Sequence, residues 1–195
     1  VDAVTGYFTA LGLSTAAGLN AYIPLLVVGL FSRYTDLIEL PAPWDHLGDP
    51  LVLGIVAAVG VADFVGDKIP IVDHVLHLLG IAVAPVAGGI LALAAANALD
   101  VDPGFSAVLG VVAALATQVG RTAARPAATA TTGGAGNPLV SLGEDGASGT
   151  LSVTSIVWPV VAAILAVVVL VLVVVFWRRW RAFGLRLQGR GPAAG

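Results

Sequence analysis

Polar and helix-breaking residues recur together at four places in an otherwise apolar chain. The first holds Gly18, Asn20 and Pro24. Proline has no backbone N–H, so in a continuous helix the carbonyl four residues earlier, that of Asn20, loses its partner. Asn20 then offers a side-chain amide and a freed carbonyl at one depth, and Gly18 lets another backbone come close. In lipid such groups must be satisfied by protein, water or ligand. Two readings stay open: an ion or solute site at a discontinuous helix, or a proline kink with Asn20 bonded to a neighbouring helix.

The second place runs from Asp63 through Asp67, Lys68 and Pro70 to Asp73, His74 and His77. Asp63 and Asp67 are four apart, as are Asp73 and His77, so each pair shares a helical face. Pro70 breaks the chain between them. Ionisable groups this close to a membrane span cost free energy and mark ion or proton pathways. Cation coordination and proton relay are the functional readings; solvation at the water interface, with Lys68 pairing locally, is the plain one. A metal site on Asp73, His74 and His77 is a weaker alternative, because the two imidazoles are only three apart and His46 is the one further histidine.

Third, Gln118, Arg121 and Arg125 fall on one helical stripe, and Pro126 is expected to end that helix. They suit an anion site, salt bridges to carboxylates across the bundle, or interfacial snorkelling. Burying two arginines unpaired would cost several kcal/mol each, about the penalty for any buried ion, so carboxylates such as Asp67, Asp73, Glu144 or Asp145 should be close. The fourth place is Asn137 and Pro138 with Ser141, Glu144 and Asp145. A Gly-rich entry to a short helix presents free N–H groups as an anion nest. No P-loop, nucleophile elbow or His-Glu-x-x-His zinc motif occurs. A basic surface interleaved with aromatic residues is also missing, so nucleic acid is not expected as a partner. No cofactor is expected.

The elements that must position these groups are hydrophobic. Apolar residues make up 58% of the 195 and charged residues 11%, with mean hydropathy +0.97. A soluble domain carries about a quarter charged residues, so water is not the main solvent here. Cysteine is absent, which excludes disulfides and thiolate chemistry. Apolar stretches run over about 4–31, 51–66, 71–98, 105–122 and 156–177. The first is interrupted at Gly18, Asn20 and Pro24. It lacks a basic leader region, so no cleaved signal is expected. Residues 127–155 are rich in Gly, Ser and Thr, and part of this stretch is expected to be re-entrant or a short half-helix. Five of the nine basic residues follow the last stretch: Arg178, Arg179, Arg181, Arg186 and Arg190. With Trp177 and Trp180 they predict a cytoplasmic C-terminus.

The expected fold is therefore all-α: an integral membrane helical bundle of five or six membrane segments, with a broken first helix and a re-entrant stretch near Asn137. One transmembrane domain covers 1–177 and a basic cytoplasmic tail 178–195. Thr15 to Pro24 and Thr132 to Pro138 echo each other in small residues, Asn and Pro, as a weak internal repeat of the kind transporters carry.

Several segments also resemble one known family. They are Ser14-Thr-Ala-Ala-Gly-Leu-Asn-Ala-Tyr-Ile-Pro-Leu25, Asp67-Lys-Ile-Pro-Ile-Val-Asp-His74, Pro85-Val-Ala-Gly88, Gln118-Val-Gly-Arg-Thr-Ala-Ala-Arg-Pro126, and Gly136-Asn-Pro138 with Glu144 and Asp145. Together they resemble the multi-span membrane proteins of domain of unknown function 4126, found in bacteria and plants. The resemblance implies a multi-span membrane protein and adds no activity. The family pattern favours His where this chain has Gln118, which weakens a proton relay there. A bacterial inner (plasma) membrane is the expected location.

The leading functional expectation is a small transporter or channel-like protein for a cation or a proton-coupled solute. Its polar interior would be lined by Asn20, Asp63, Asp67, Asp73, Arg121, Arg125, Asn137, Glu144 and Asp145, with breaks at Gly18, Pro24, Pro70 and Pro138. The alternatives are a membrane scaffold or assembly factor whose charges lock helices together, and a membrane enzyme acting on lipid. The bilayer is the expected partner. Gly88 and Gly89 suit helix contacts within one chain or in a homo-oligomer.

Overall fold

The computed structural model describes residues 3–66, 70–133 and 136–187, with side chains described throughout except at 70–78, 124–128, 130–131 and 180–187. These residues form seven α-helices and one 3-10 turn, with no strand among them. The helices are α1 (Ala3–Leu19), α2 (Tyr22–Tyr34), α3 (Pro50–Gly66), α4 (Pro70–Ala98), α5 (Pro103–Thr132), α6 (Asn137–Val157) and α7 (Pro159–Leu187); the turn, Trp44–Gly48, precedes α3.

Helix α1 is the axis of the bundle and packs against α4, α5, α6 and α7. Its buried residues are mostly small: Gly6, Ala10, Gly12, Ser14, Ala16, Ala17 and Gly18. Lipid gives little hydrophobic drive for helices to associate, so close backbone approach between small residues must supply the attraction. Gly6 meets Leu99 and Val101, and Gly18 meets Ala114 and Thr117. The Ser14 hydroxyl donates to the Gly88 carbonyl at 2.9 Å. These contacts make α1 antiparallel to α4 and parallel to α5. A Cβ on Gly110 would stand 2.5 Å from the Gly88 carbonyl, and one on Gly88 would stand 2.8 Å from the Gly110 carbonyl. Gly89 also faces α5, at Val111. Both glycines thus serve contacts within this chain.

Three helical stretches are long and apolar enough to cross a membrane: Leu79–Ala98, Pro103–Ala123 and Pro159–Arg179. They point to a membrane protein. In α7 only 17% of the apolar window is buried, and in α3 the one buried residue is Gly66. Both turn apolar side chains outward, as a lipid-facing helix does. Helices α1, α2 and α3 have 17, 13 and 17 residues, or roughly 20 to 26 Å at 1.5 Å per residue. Helices α2 and α3 form an antiparallel pair, with Tyr22 against Gly60 and Gly29 against Leu53.

Two expectations need correction. Pro126 does not end its helix: α5 continues to Thr132. The segment around Pro126 is rich in alanine, the best helix former, and its stop is Gly133, with φ of 62° and its N–H donating to the Thr129 carbonyl. The Gly/Ser/Thr-rich stretch is no short half-helix either. Residues 137–157 form one continuous helix of 21 residues. Its hydroxyls bond back to carbonyls four residues earlier, at Ser152 (2.7 Å), Thr154 (2.6 Å) and Ser155 (2.6 Å). Low helix propensity is overridden because small residues suit a crowded position. The last apolar stretch is divided at Trp158, and α7 runs on beyond Trp177 to Leu187.

Candidate functional site

The broken first helix is present, and its chemistry differs from a kink. Helix α1 stops at Leu19 and α2 starts at Tyr22. Pro24 then lies in the first turn of α2, where an N–H would have no helical partner in any case. Asn20 makes the new start possible. Its Oδ1 accepts from the Tyr22 N–H at 2.9 Å and the Ile23 N–H at 3.3 Å. Its Nδ2 donates to Asp145 Oδ1 at 2.9 Å.

The end of α1 is satisfied from two other helices. Ser148 Oγ, on α6, donates to the Ala16 carbonyl at 2.9 Å and reaches the Asn20 carbonyl at 3.3 Å. Arg121 Nη1, on α5, donates to the Leu19 carbonyl, and Arg121 Nε pairs with Glu144 Oε2 at 2.6 Å. The two side chains are 8% and 13% exposed. The guanidinium thus sits at the negative end of the α1 dipole, where a cation is favoured. Gly18 is needed for this geometry: a Cβ there would stand 2.5 Å from the Ala114 carbonyl.

A cavity of about 180 Å³ borders the pair. Arg121 and Glu144 lie on one side of it, and Leu172, Val173 and Phe176 of α7 on the other. Val173 is five residues before Arg178 on the same helix. At 1.5 Å per residue the ion pair is about 8 Å inward of the Trp177 and Arg178 collar. The arrangement can hold a charge, exchange one carboxylate for another on the guanidinium, or lock three helices.

Four of the residues singled out by sequence therefore converge: Asn20, Arg121, Glu144 and Asp145. Others lie elsewhere. Asn137 opens α6 and exchanges hydrogen bonds with Thr129 Oγ1 at 3.1 and 3.2 Å. Pro138 lies in the first turn of α6 and Pro70 begins α4, so both start helices. Asp63 is in the last turn of α3, near Tyr22. Asp67 lies outside the described residues. So do the side chains of Asp73, His74, His77 and Arg125, and with them the acidic cluster and the metal alternative. The two segments of the internal echo fall at the α1–α2 and α5–α6 junctions. Gln118 is 2% exposed and faces Gly80; its Nε2 has no partner among the described residues.

Ser148 was missed by sequence reasoning, although a signal existed. Ser141, Asp145, Ser148, Ser152 and Ser155 follow one another by four, three, four and three residues, the spacing of one helical face. All four serines are buried.

Fold and site together describe an all-α membrane protein with a charged knot at a helix break. The chain belongs to the family described as domain of unknown function (DUF4126), whose model matches residues 7–179. Neither a curated protein nor a solved structure matches it.

Proposed function

We propose that this protein is a small transporter or channel-like protein for a cation or a proton-coupled small solute, with the Arg121–Glu144 pair at its centre. The observation that carries this reading is the pair itself. Two ions taken out of water cost several kcal/mol each unless their geometry and further bonds compensate. Here they meet at a discontinuous helix, inward of the interface, beside a cavity, as polar groups do in ion and substrate pathways. Flux of protons and a panel of cations into proteoliposomes tests it, with wild type and Glu144→Gln side by side. Flux in wild type that is lost in Glu144→Gln, with thermal stability retained, supports the reading. Undiminished flux in the variant sinks it.

A second reading has its own support. Asn20 uses both ends of its amide on protein, and the Leu19 and Asn20 carbonyls both have protein donors. Such closure suits a lock between α1, α5 and α6 in a scaffold or assembly factor. On that reading wild type carries no flux, and Arg121→Glu lowers expression and thermal stability.

A further inference from the structure

A second cavity, of about 420 Å³, lies apart from the broken helix, where α2 meets the loop leading to α3. Ser32, Arg33, Asp45, His46 and Asp49 line it. Arg33, in the last turn of α2, is held in place twice. Its Nη1 donates to the Gly48 carbonyl at 3.1 Å, and its Cζ lies 5.6 Å from the centre of the Tyr34 ring, within reach of a cation–π contact. A guanidinium has five N–H donors in a fixed fork, so an acceptor such as phosphate can use the remainder. Asp49 caps α3 with Oδ1, which accepts from the Leu51 N–H at 2.8 Å. Its other oxygen and the exposed Asp45 carboxylate add negative charge beside the cation. The lining is thus dipolar, with a guanidinium and an imidazole next to two carboxylates.

The surroundings narrow the ligand. Leu30 and Tyr34 on α2, and Leu51 and Ile55 on α3, expose large apolar surfaces. In a membrane protein such outward faces meet acyl chains. We propose that this cavity binds the headgroup of a zwitterionic phospholipid bearing a primary ammonium. The phosphate takes Arg33 and His46, the ammonium takes Asp45 and Asp49, and the acyl chains follow Leu51 and Ile55. A purely anionic headgroup would face the two carboxylates unpaired, which disfavours it. A quaternary ammonium has no N–H to give them. This site is independent of the transport reading.

The test is native mass spectrometry of the full chain, delipidated in detergent and titrated with phosphatidylethanolamine, phosphatidylcholine and phosphatidylglycerol of identical acyl composition. Phosphatidylethanolamine is expected to bind about tenfold more tightly than either of the others, the factor expected for loss of one charge-assisted hydrogen bond. Arg33→Gln is expected to weaken it by a similar factor. Asp45→Asn, in an exposed turn, is expected to narrow the gap between ethanolamine and glycerol headgroups without changing thermal stability. It decides the matter if Arg33→Gln does not fold. Equal binding of the three lipids, or a wild-type preference that persists in Asp45→Asn, overturns the proposal. Soluble glycerophosphoethanolamine binding as tightly as the lipid overturns the lipid assignment and makes the ligand a soluble zwitterion.

Discussion

Helices α6 and α7 are neighbours in the chain, joined at Trp158, yet they solve opposite problems. Helix α7 is Val, Leu, Ile and Ala over most of its span and shows most of that surface outward. Helix α6 carries Glu144, Asp145 and a line of buried serines. Asp145 and Ser148 bond directly to α1 or its break, and Thr9 of α1 donates to the Ser155 carbonyl. The contrast shows that hydropathy measures exposure to lipid rather than importance to the bundle. A central helix in such a protein needs small residues and hydroxyls that find their partners internally.

That contrast has a graded set of consequences, each read as thermal or denaturant stability of the purified chain. Arg121→Ala strands Glu144 in a buried site. It is expected to cost about 3–5 kcal/mol, the penalty for removing one partner of a buried pair, and to abolish recovery of monodisperse protein. Replacing both partners, as Arg121→Met with Glu144→Leu, should recover most of that loss, because no unpaired charge remains. Gly18→Val should cost about 1–3 kcal/mol through overpacking against the Ala114 carbonyl. Ser148→Ala removes a donor to two carbonyls and should cost roughly 1 kcal/mol. Val171→Leu on the outward face of α7 should change stability by less than about 0.5 kcal/mol. A loss at Val171 as large as that at Ser148 would break the distinction between the two helices.

Much of this was legible in the residues. The apolar stretches marked α3, α4 and most of α5 and α7, because a lipid-facing helix must be apolar. Asp102 with Pro103 marked the start of α5, where Asp102 Oδ1 accepts from the Phe105 N–H at 2.6 Å. Asn20, Arg121, Glu144 and Asp145 stood out because such groups are costly near lipid. Helix α6 was misread because Gly, Ser and Thr have low intrinsic helix propensity, and tertiary packing overrode it. The extent of α5 was missed for a related reason: one interior proline was weighed above the alanines around it. Which carboxylate meets which donor could not be read at all. The contacts from Asn20 to Asp145 and from Arg121 to Leu19 cross 125 and 102 residues of chain, and only the packing of α1 against α5 and α6 sets them.

The glycine contact between α4 and α5 has a mechanical consequence. With Gly88 and Gly110 pressed backbone to backbone and the Ser14 hydroxyl anchored on the same carbonyl, these three helices cannot slide past one another without backbone collision. They form a stator. Any working stroke of the molecule must be carried by parts hung on it more lightly, and the α2–α3 hairpin, hinged at Asn20, is the natural lever arm.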